Sequence, residues 1–292
     1  MTDVSAESSE SSPVPGQPAG RLVRFVQAVP RLIGQPVIGG LVAVGGVSLL
    51  VTQTVAAIPH SLFGQRGKSL AWRNLTYQMV RVGVKAVPIV SLVVFCVGAI
   101  LSLQIVPILR VYGAADEVAQ IITITMFREL GPLIGAITLT GFAGASIAAE
   151  IGTMTVSEEI EAMETHAIDP TSFLVVPRVI ATALMTVCLA IVANYMGCLG
   201  GLVVSVNIQD MSPDAYVRNT IDSIAMKDFV TGLIKAFVFG TIIASLACWL
   251  GLSVRGGAQG VGEATTRTVV LTVVALAVVD LLFTWIFFSV GV

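Results

Sequence analysis

Four stretches of this chain contain no Asp, Glu, Lys or Arg: residues 86 to 109, 130 to 149, 179 to 209 and 236 to 254. A helix rises about 1.5 Å per residue, so roughly 20 such residues cross the ~30 Å hydrocarbon core of a bilayer. A fifth stretch, 268 to 292, is broken only by Asp280. Lipid offers backbone amides no partner, so apolar segments of this length are predicted to be helices. A further uncharged stretch, Leu32 to Gln65, is loosened by Gly34, Pro36, Gly39, Gly40, Gly45 and Gly46, and either spans or lies in the interface. Of the 292 residues, 55% are hydrophobic and only 12% charged. The chain therefore reads as an all-α membrane protein, with too little polar sequence left for a soluble catalytic domain. Sixteen cations against eighteen acids give a net charge of -2, which excludes the basic field that nucleic-acid binding requires.

The cations decide between five and six spans, because short cytoplasmic segments are enriched in Lys and Arg. If residues 32 to 65 do not cross, Arg21, Arg24, Arg31, Arg66, Lys68, Arg73, Arg81, Lys85, Arg178, Arg255 and Arg267 all fall on one side, eleven of the sixteen. If they do cross, the cations divide evenly. Five spans are therefore predicted, with the N-terminus cytoplasmic and the C-terminus external. Residues 110 to about 118 and 206 to about 228 become external loops, and 150 to 178 and 255 to 267 cytoplasmic ones. The organisation that follows is a disordered, acidic Ser/Pro-rich tail (1 to 20), a cytoplasmic or interfacial amphipathic element (21 to 85) and a five-helix domain (86 to 292). No internal repeat of the kind that marks many secondary transporters is found.

Several chemistries are absent by pattern. Cys96, Cys188, Cys198 and Cys248 lie in apolar stretches without a Cys-x-x-Cys spacing, so neither disulfides nor a metal site is expected. LFGQRGKS at 62 to 69 has Leu62 where a phosphate-binding loop needs Gly, so nucleotide must be bound by another subunit. His60 and His166 have no neighbours that would give them chemistry, and no hydrolase motif occurs. The chain is expected to be a transport subunit with no enzymatic activity and no cofactor of its own.

Two groups of residues stand out. In AAEIGTMTVSEEIEAMETHAIDP (148 to 170), Thr155 and Glu158 have capping-box spacing and would open a short helix carrying Glu158, Glu159, Glu161 and Glu164 in its first turns. Asp169-Pro170 would end it. Ile160, Met163 and Ala167 then form a narrow apolar stripe, the form of a helix that docks into a partner's groove. The alternative is a solvated acidic loop. The second group is Arg128 and Glu129 in TMFRELGP, with Lys235 before AFVFG. If the helix starts near Asp116, these charges lie well inside the spans and mark a functional site, Arg128 offering a fork for phosphate or carboxylate and Glu129 and Lys235 a neutralising pair. They would otherwise snorkel to the external interface. Asp280 is either a buried partner or a packing residue, with packing favoured. Gly141, Gly144, Gly197 and Gly201 supply small faces for helix packing, within the chain or across a dimer.

RELGPLIGAI (128 to 137), GFAGASIAAEIGTMTVSEEIEAM (141 to 163), DP followed by LVVPR (169 to 178) and GVGEATTRTVV (260 to 270) together resemble the MlaE/YrbE family of permeases, over roughly residues 80 to 292. The chain departs from the family pattern at Phe142, where Arg is usual, and at Glu159, where Gln is usual. The resemblance implies the membrane subunit of an ABC transporter that moves phospholipid or related lipid in the bacterial envelope. It implies a homodimer in the inner membrane, two ATPase subunits that bind the ATP, and a ring of MCE-domain proteins. It makes the segment with Glu150, Thr155, Glu158, Glu159, Ile160 and Met163 the coupling helix, and places Arg128, Glu129 and Lys235 by a lipid cavity at the dimer interface. The competing readings are an ion-coupled secondary transporter using Glu129 and Asp280, and a non-transporting scaffold for an MCE ring.

Overall fold

The computed structural model describes residues 45–57, 68–114, 117–209 and 211–291. The tail 1 to 20, most of the segment 21 to 67 and Asp116 lie outside the described residues. The chain divides into two compact units at Gly46. Of the first, only Gly45 and Gly46 are described, both opening the short apolar helix Gly45–Ala57. All that follows concerns the second.

Among the described residues, five helices are long and apolar enough to cross a membrane: Trp72–Val111, Val118–Val156, Thr171–Ile208, Met226–Leu252 and Gly257–Val290. No strand occurs among the described residues. Each span begins before the uncharged run that announced it, because helical hydrogen bonding continues through the charged and polar residues at its start. The first begins with the helix Lys68–Val82, which carries Arg73 and Arg81. It passes through a tight turn, Val84–Ala86, into Val87–Val111. Pro88 stands in the first turn of this second part, where its missing N–H breaks no hydrogen bond.

The second span is interrupted by two wide π-turns, Met126–Leu130 and Thr140–Gly144. The third begins with another, Thr171–Val175. Two of these three have a local cause. Pro132 and Pro177 follow them closely, and each lacks the N–H that an α-helical turn would direct at the preceding carbonyls.

The third and fourth spans form the centre, with 61% of their most apolar stretches buried. The first span packs on the third through glycine: a Cβ on Gly98 would stand 2.0 Å from the Gly197 carbonyl oxygen, so only hydrogen fits there. Ser102 and Ser205 hydrogen bond across the same contact at 3.0 Å. The fifth span packs on the second and fourth with one side only, 11% of its apolar stretch being buried. Its other side presents Val274, Val278, Leu281 and Trp285, a surface suited to acyl chains or another apolar face. At one end the connection is the short helix Glu159–Thr165. At the other it is Pro213–Ser223, capped by Ser212, which accepts from the Ala215 N–H at 3.3 Å.

Candidate functional site

The first π-turn puts one extra residue into the second span, and Arg128 and Glu129 both lie on it. Across from it the fourth span carries Gly232, whose Cβ would meet the Phe127 carbonyl oxygen at 2.2 Å. The absent side chain lets the two backbones close up beside the turn. One helical stretch further along the fourth span, Lys235 reaches into the bundle and is completely buried. Its Nζ lies 2.5 Å from Glu129 Oε2 and 3.0 Å from Asp280 Oδ1, and it donates to Thr284 Oγ1 at 3.0 Å. The Phe287 ring centroid is 6.0 Å from the same ammonium. The Thr284 hydroxyl is within 3.0 Å of Glu129 Oε1 and 2.9 Å of the Asp280 carbonyl oxygen. Three spans are thus joined by one cation held between two carboxylates.

Arg128 lies on the partly open side, its side chain 32% exposed, with Nη1 3.8 Å from Asp228 Oδ1. Glu129 is 28% exposed. The five ionisable groups, Arg128, Glu129, Asp228, Lys235 and Asp280, comprise two cations and three carboxylates. Desolvating such charges is costly, and mutual pairing is what makes their burial tolerable. Asp280, grouped with the packing glycines in the sequence, is instead an ion partner of Lys235, since the fourth and fifth spans bring their deepest charges to the same level. Asp228 and Thr284 were given no part. Their signal was spacing: Asp228 stands two turns before Lys235, and Thr284 one turn after Asp280.

The glycines divide. Gly197 and Gly201 are used within the chain, against Met126 and Gly98 and against Ile122 and the Tyr216 hydroxyl. Gly144 faces Ile243 and Thr268, also within the chain. Only Gly141 of the four has nothing within 4 Å of a built Cβ.

The helix ends within 148 to 170 differ from the sequence expectation in three ways. Thr155 caps nothing: it lies inside the second span, which runs to Val156, and its hydroxyl donates to the carbonyls of Ile151 at 2.9 Å and Gly251 at 3.1 Å. Glu158 adopts a left-handed conformation, φ 60°, with no side-chain cap, and the helix begins only at Glu159. Asp169 does not end this helix. The helix stops at Thr165, Ala167 turns the chain at φ 56°, and Asp169 instead caps the third span. Its carboxylate accepts from the N–H groups of Thr171 and Ser172, both at 3.1 Å, and from the Ser172 hydroxyl. Partial burial pushes this carboxyl up, but the Ser172 and Thr171 hydrogen bonds outweigh it and hold it below its ordinary value.

The apolar stripe also faces differently from the expectation. Ile160 packs against the chain's own core, Met163 is half-buried, and Ala167 lies beyond the helix. A seven-residue helix beside a membrane bundle buries its apolar side on that bundle first. What remains exposed is Glu158, Glu159, Glu161 and Glu164, with Val156 and Ile168 at the margins. Glu150 belongs elsewhere: it pairs with Arg81 at 2.5 Å and with the buried Arg178 at 3.2 Å, tying the first, second and third spans together. In the sequence Arg81 and Arg178 stand out only as cytoplasmic charges.

A bundle of five long apolar helices with charged groups paired between its spans defines a multi-pass membrane protein. The sequence profile described as Permease MlaE matches residues 75–286, and the chain belongs to the MlaE permease family. It is 37% identical over 213 residues to a probable ABC transporter permease protein of Rickettsia prowazekii, covering 73% of this chain and 82% of that one. A probable ABC transporter permease protein of Synechocystis is 35% identical over 217 residues, 74% of this chain and 82% of its own. The chloroplastic protein TRIGALACTOSYLDIACYLGLYCEROL 1 of Arabidopsis thaliana is 32% identical over 224 residues, 77% of this chain and 64% of its own.

Proposed function

We propose that this chain is the lipid-conducting membrane subunit of an ABC transporter, working as a homodimer in a bacterial inner membrane with two separate ATPase subunits and an MCE-domain ring. The ABC permease names of its relatives support the ATPase dependence, and the Arabidopsis relative, named for a galactolipid, supports the lipid. The observation that carries the reading is the partly exposed Arg128 and Glu129 beside a buried Lys235. A head group meets Arg128, while Lys235 holds Glu129 from behind and touches no lipid itself. The exposed Glu159, Glu161 and Glu164 offer the ATPase an acidic surface, and Ile160 anchors that surface to the bundle. ATP-driven closure of the ATPases pushes on this helix and narrows the lipid path. ATP is bound by the partner, and this chain contributes no catalytic group.

Native mass spectrometry of the complex, extracted gently from its own membrane, tests this. The expected particle holds two copies of this chain, two ATPase chains and a lipid mass, and Arg128→Ala loses the lipid. A particle with neither ATPase nor lipid overturns the reading.

A further inference from the structure

A second charged site stands apart from the one just described. It is a cavity of about 230 Å³ between the first and second spans. Arg81 and Lys85 line one wall and Phe142 and Ser146 the other, each pair four residues apart and so on one face of its helix. Phe142 is some 20 Å along the second span from Arg128, at a rise of 1.5 Å per residue. The two sites are therefore separate.

The charge here does not balance. Arg81 and Lys85 are both cations in the cavity lining, which holds no carboxylate, and Glu150, outside the lining, is shared by Arg81 with Arg178, also outside it. Arg178 is buried, and its Nε has no hydrogen-bond partner among the described residues. Arg81 is held by Glu150 and by the Ser146 hydroxyl at 3.0 Å, which fixes its guanidinium against the cavity. Lys85 is exposed and makes no ion pair among the described residues. A net positive cavity beside low-dielectric helices attracts an anion, and a fixed guanidinium with an exposed ammonium suits a tetrahedral one.

We propose that the cavity between the first and second spans binds a phosphate group of net negative charge, with Lys85 and Arg81 as its ligands and Phe142 as its apolar wall. The phosphate of an anionic lipid and free phosphate share this chemistry. The inference does not rest on lipid transport through the Arg128 cluster.

The test uses the full-length chain, delipidated in detergent and then offered phosphatidylglycerol, phosphatidylcholine or inorganic phosphate. Retention is read by native mass spectrometry and stabilisation by the thermal midpoint. Wild type is expected to retain phosphatidylglycerol over phosphatidylcholine. Lys85→Glu is expected to weaken that retention about tenfold or more and to lose the thermal shift, while Lys85→Arg keeps both. Lys85 is exposed, so its replacement leaves the bundle folded, and an unchanged midpoint without lipid verifies this. If millimolar phosphate alone gives the shift and displaces the lipid, the source is the soluble anion; if it does neither, the source is the lipid. Equal retention by Lys85→Glu and wild type, or no preference between the two lipids and no response to phosphate, overturns the proposal.

Discussion

Lys235 Nζ lies 2.5 Å from Glu129 Oε2, joining the second and fourth spans through a completely buried ammonium. Asp280 completes the arrangement from the fifth span at 3.0 Å. Removing the cation leaves the Glu129 and Asp280 carboxylates without their shared counter-ion. Lys235→Ala is expected to destabilise the chain by about 3–5 kcal/mol, the usual cost of breaking a buried pair from one side. Neutralising all three, with Lys235→Met, Glu129→Gln and Asp280→Asn together, is expected to recover most of that. Denaturation of the detergent-solubilised protein measures both, and a triple variant no more stable than Lys235→Ala argues against the pairing.

Glu150 neutralises the buried Arg178, which is only 4% exposed. Glu150→Gln is therefore expected to cost about 3 kcal/mol. Glu164→Gln, on the exposed side of the short helix, is expected to change stability by less than about 0.5 kcal/mol. Parallel thermal melts of the two variants distinguish a structural carboxylate from a surface one.

Asp169 gives the third span a pH-dependent cap. Its folded value lies below the ordinary 3.8, so its contribution is complete above that value and fades as the pH falls through the folded one. Asp169→Ala is expected to cost about 1 kcal/mol at neutral pH, as loss of a cap does, with Asp169→Asn costing less. The difference between wild type and Asp169→Ala is expected to shrink in melts carried out below pH 3.8.

Gly232→Ala forces a methyl group against the Phe127 carbonyl oxygen, at a built distance of 2.2 Å, and must part the second and fourth spans. About 1–3 kcal/mol of destabilisation is expected, together with a shift of Arg128 and Glu129 that lowers transport. Gly141→Ala meets nothing within 4 Å and is expected to leave the melt of the isolated chain unchanged.

Ala167 holds φ at 56° without being glycine. Ala167→Gly removes a steric cost of about 1 kcal/mol and is expected to raise the thermal midpoint slightly. A lower midpoint would show that the turn after the short helix is not left-handed in solution.

The five spans were legible because hydrocarbon thickness fixes their length and because Asp280 is the lone charge in the last of the apolar runs. The meeting of Glu129 with Lys235 was legible for a related reason: opposite charges deep in apolar helices have few other ways to be satisfied. Asp280 read as packing because no single-sequence feature says which helix face turns toward Lys235. The Arg81–Glu150–Arg178 group was hidden because a cation in a cytoplasmic segment biases orientation whether or not it also pairs with a carboxylate, and nothing in the sequence distinguishes the two. Thr155 was misread because the capping pattern is local. The hydroxyl found its partners one turn back, at Ile151, and across the bundle, at Gly251. Asp169-Pro170 marks a boundary between helices equally well from either direction. Only the hydrogen bonds to Thr171 and Ser172 show which helix it serves.

The second span carries one charged knot at Glu129 and another at Glu150, and the helix between them rises roughly 30 Å, the thickness of a typical hydrocarbon core. A rod pinned to its neighbours at two levels this far apart can bend between them, but it cannot turn about its axis or slide without breaking one of the knots. Movement imposed on the short helix Glu159–Thr165 can therefore travel along the second span to Arg128 only by bending it between the knots, where the π-turn Thr140–Gly144 lies, or by opening one of them.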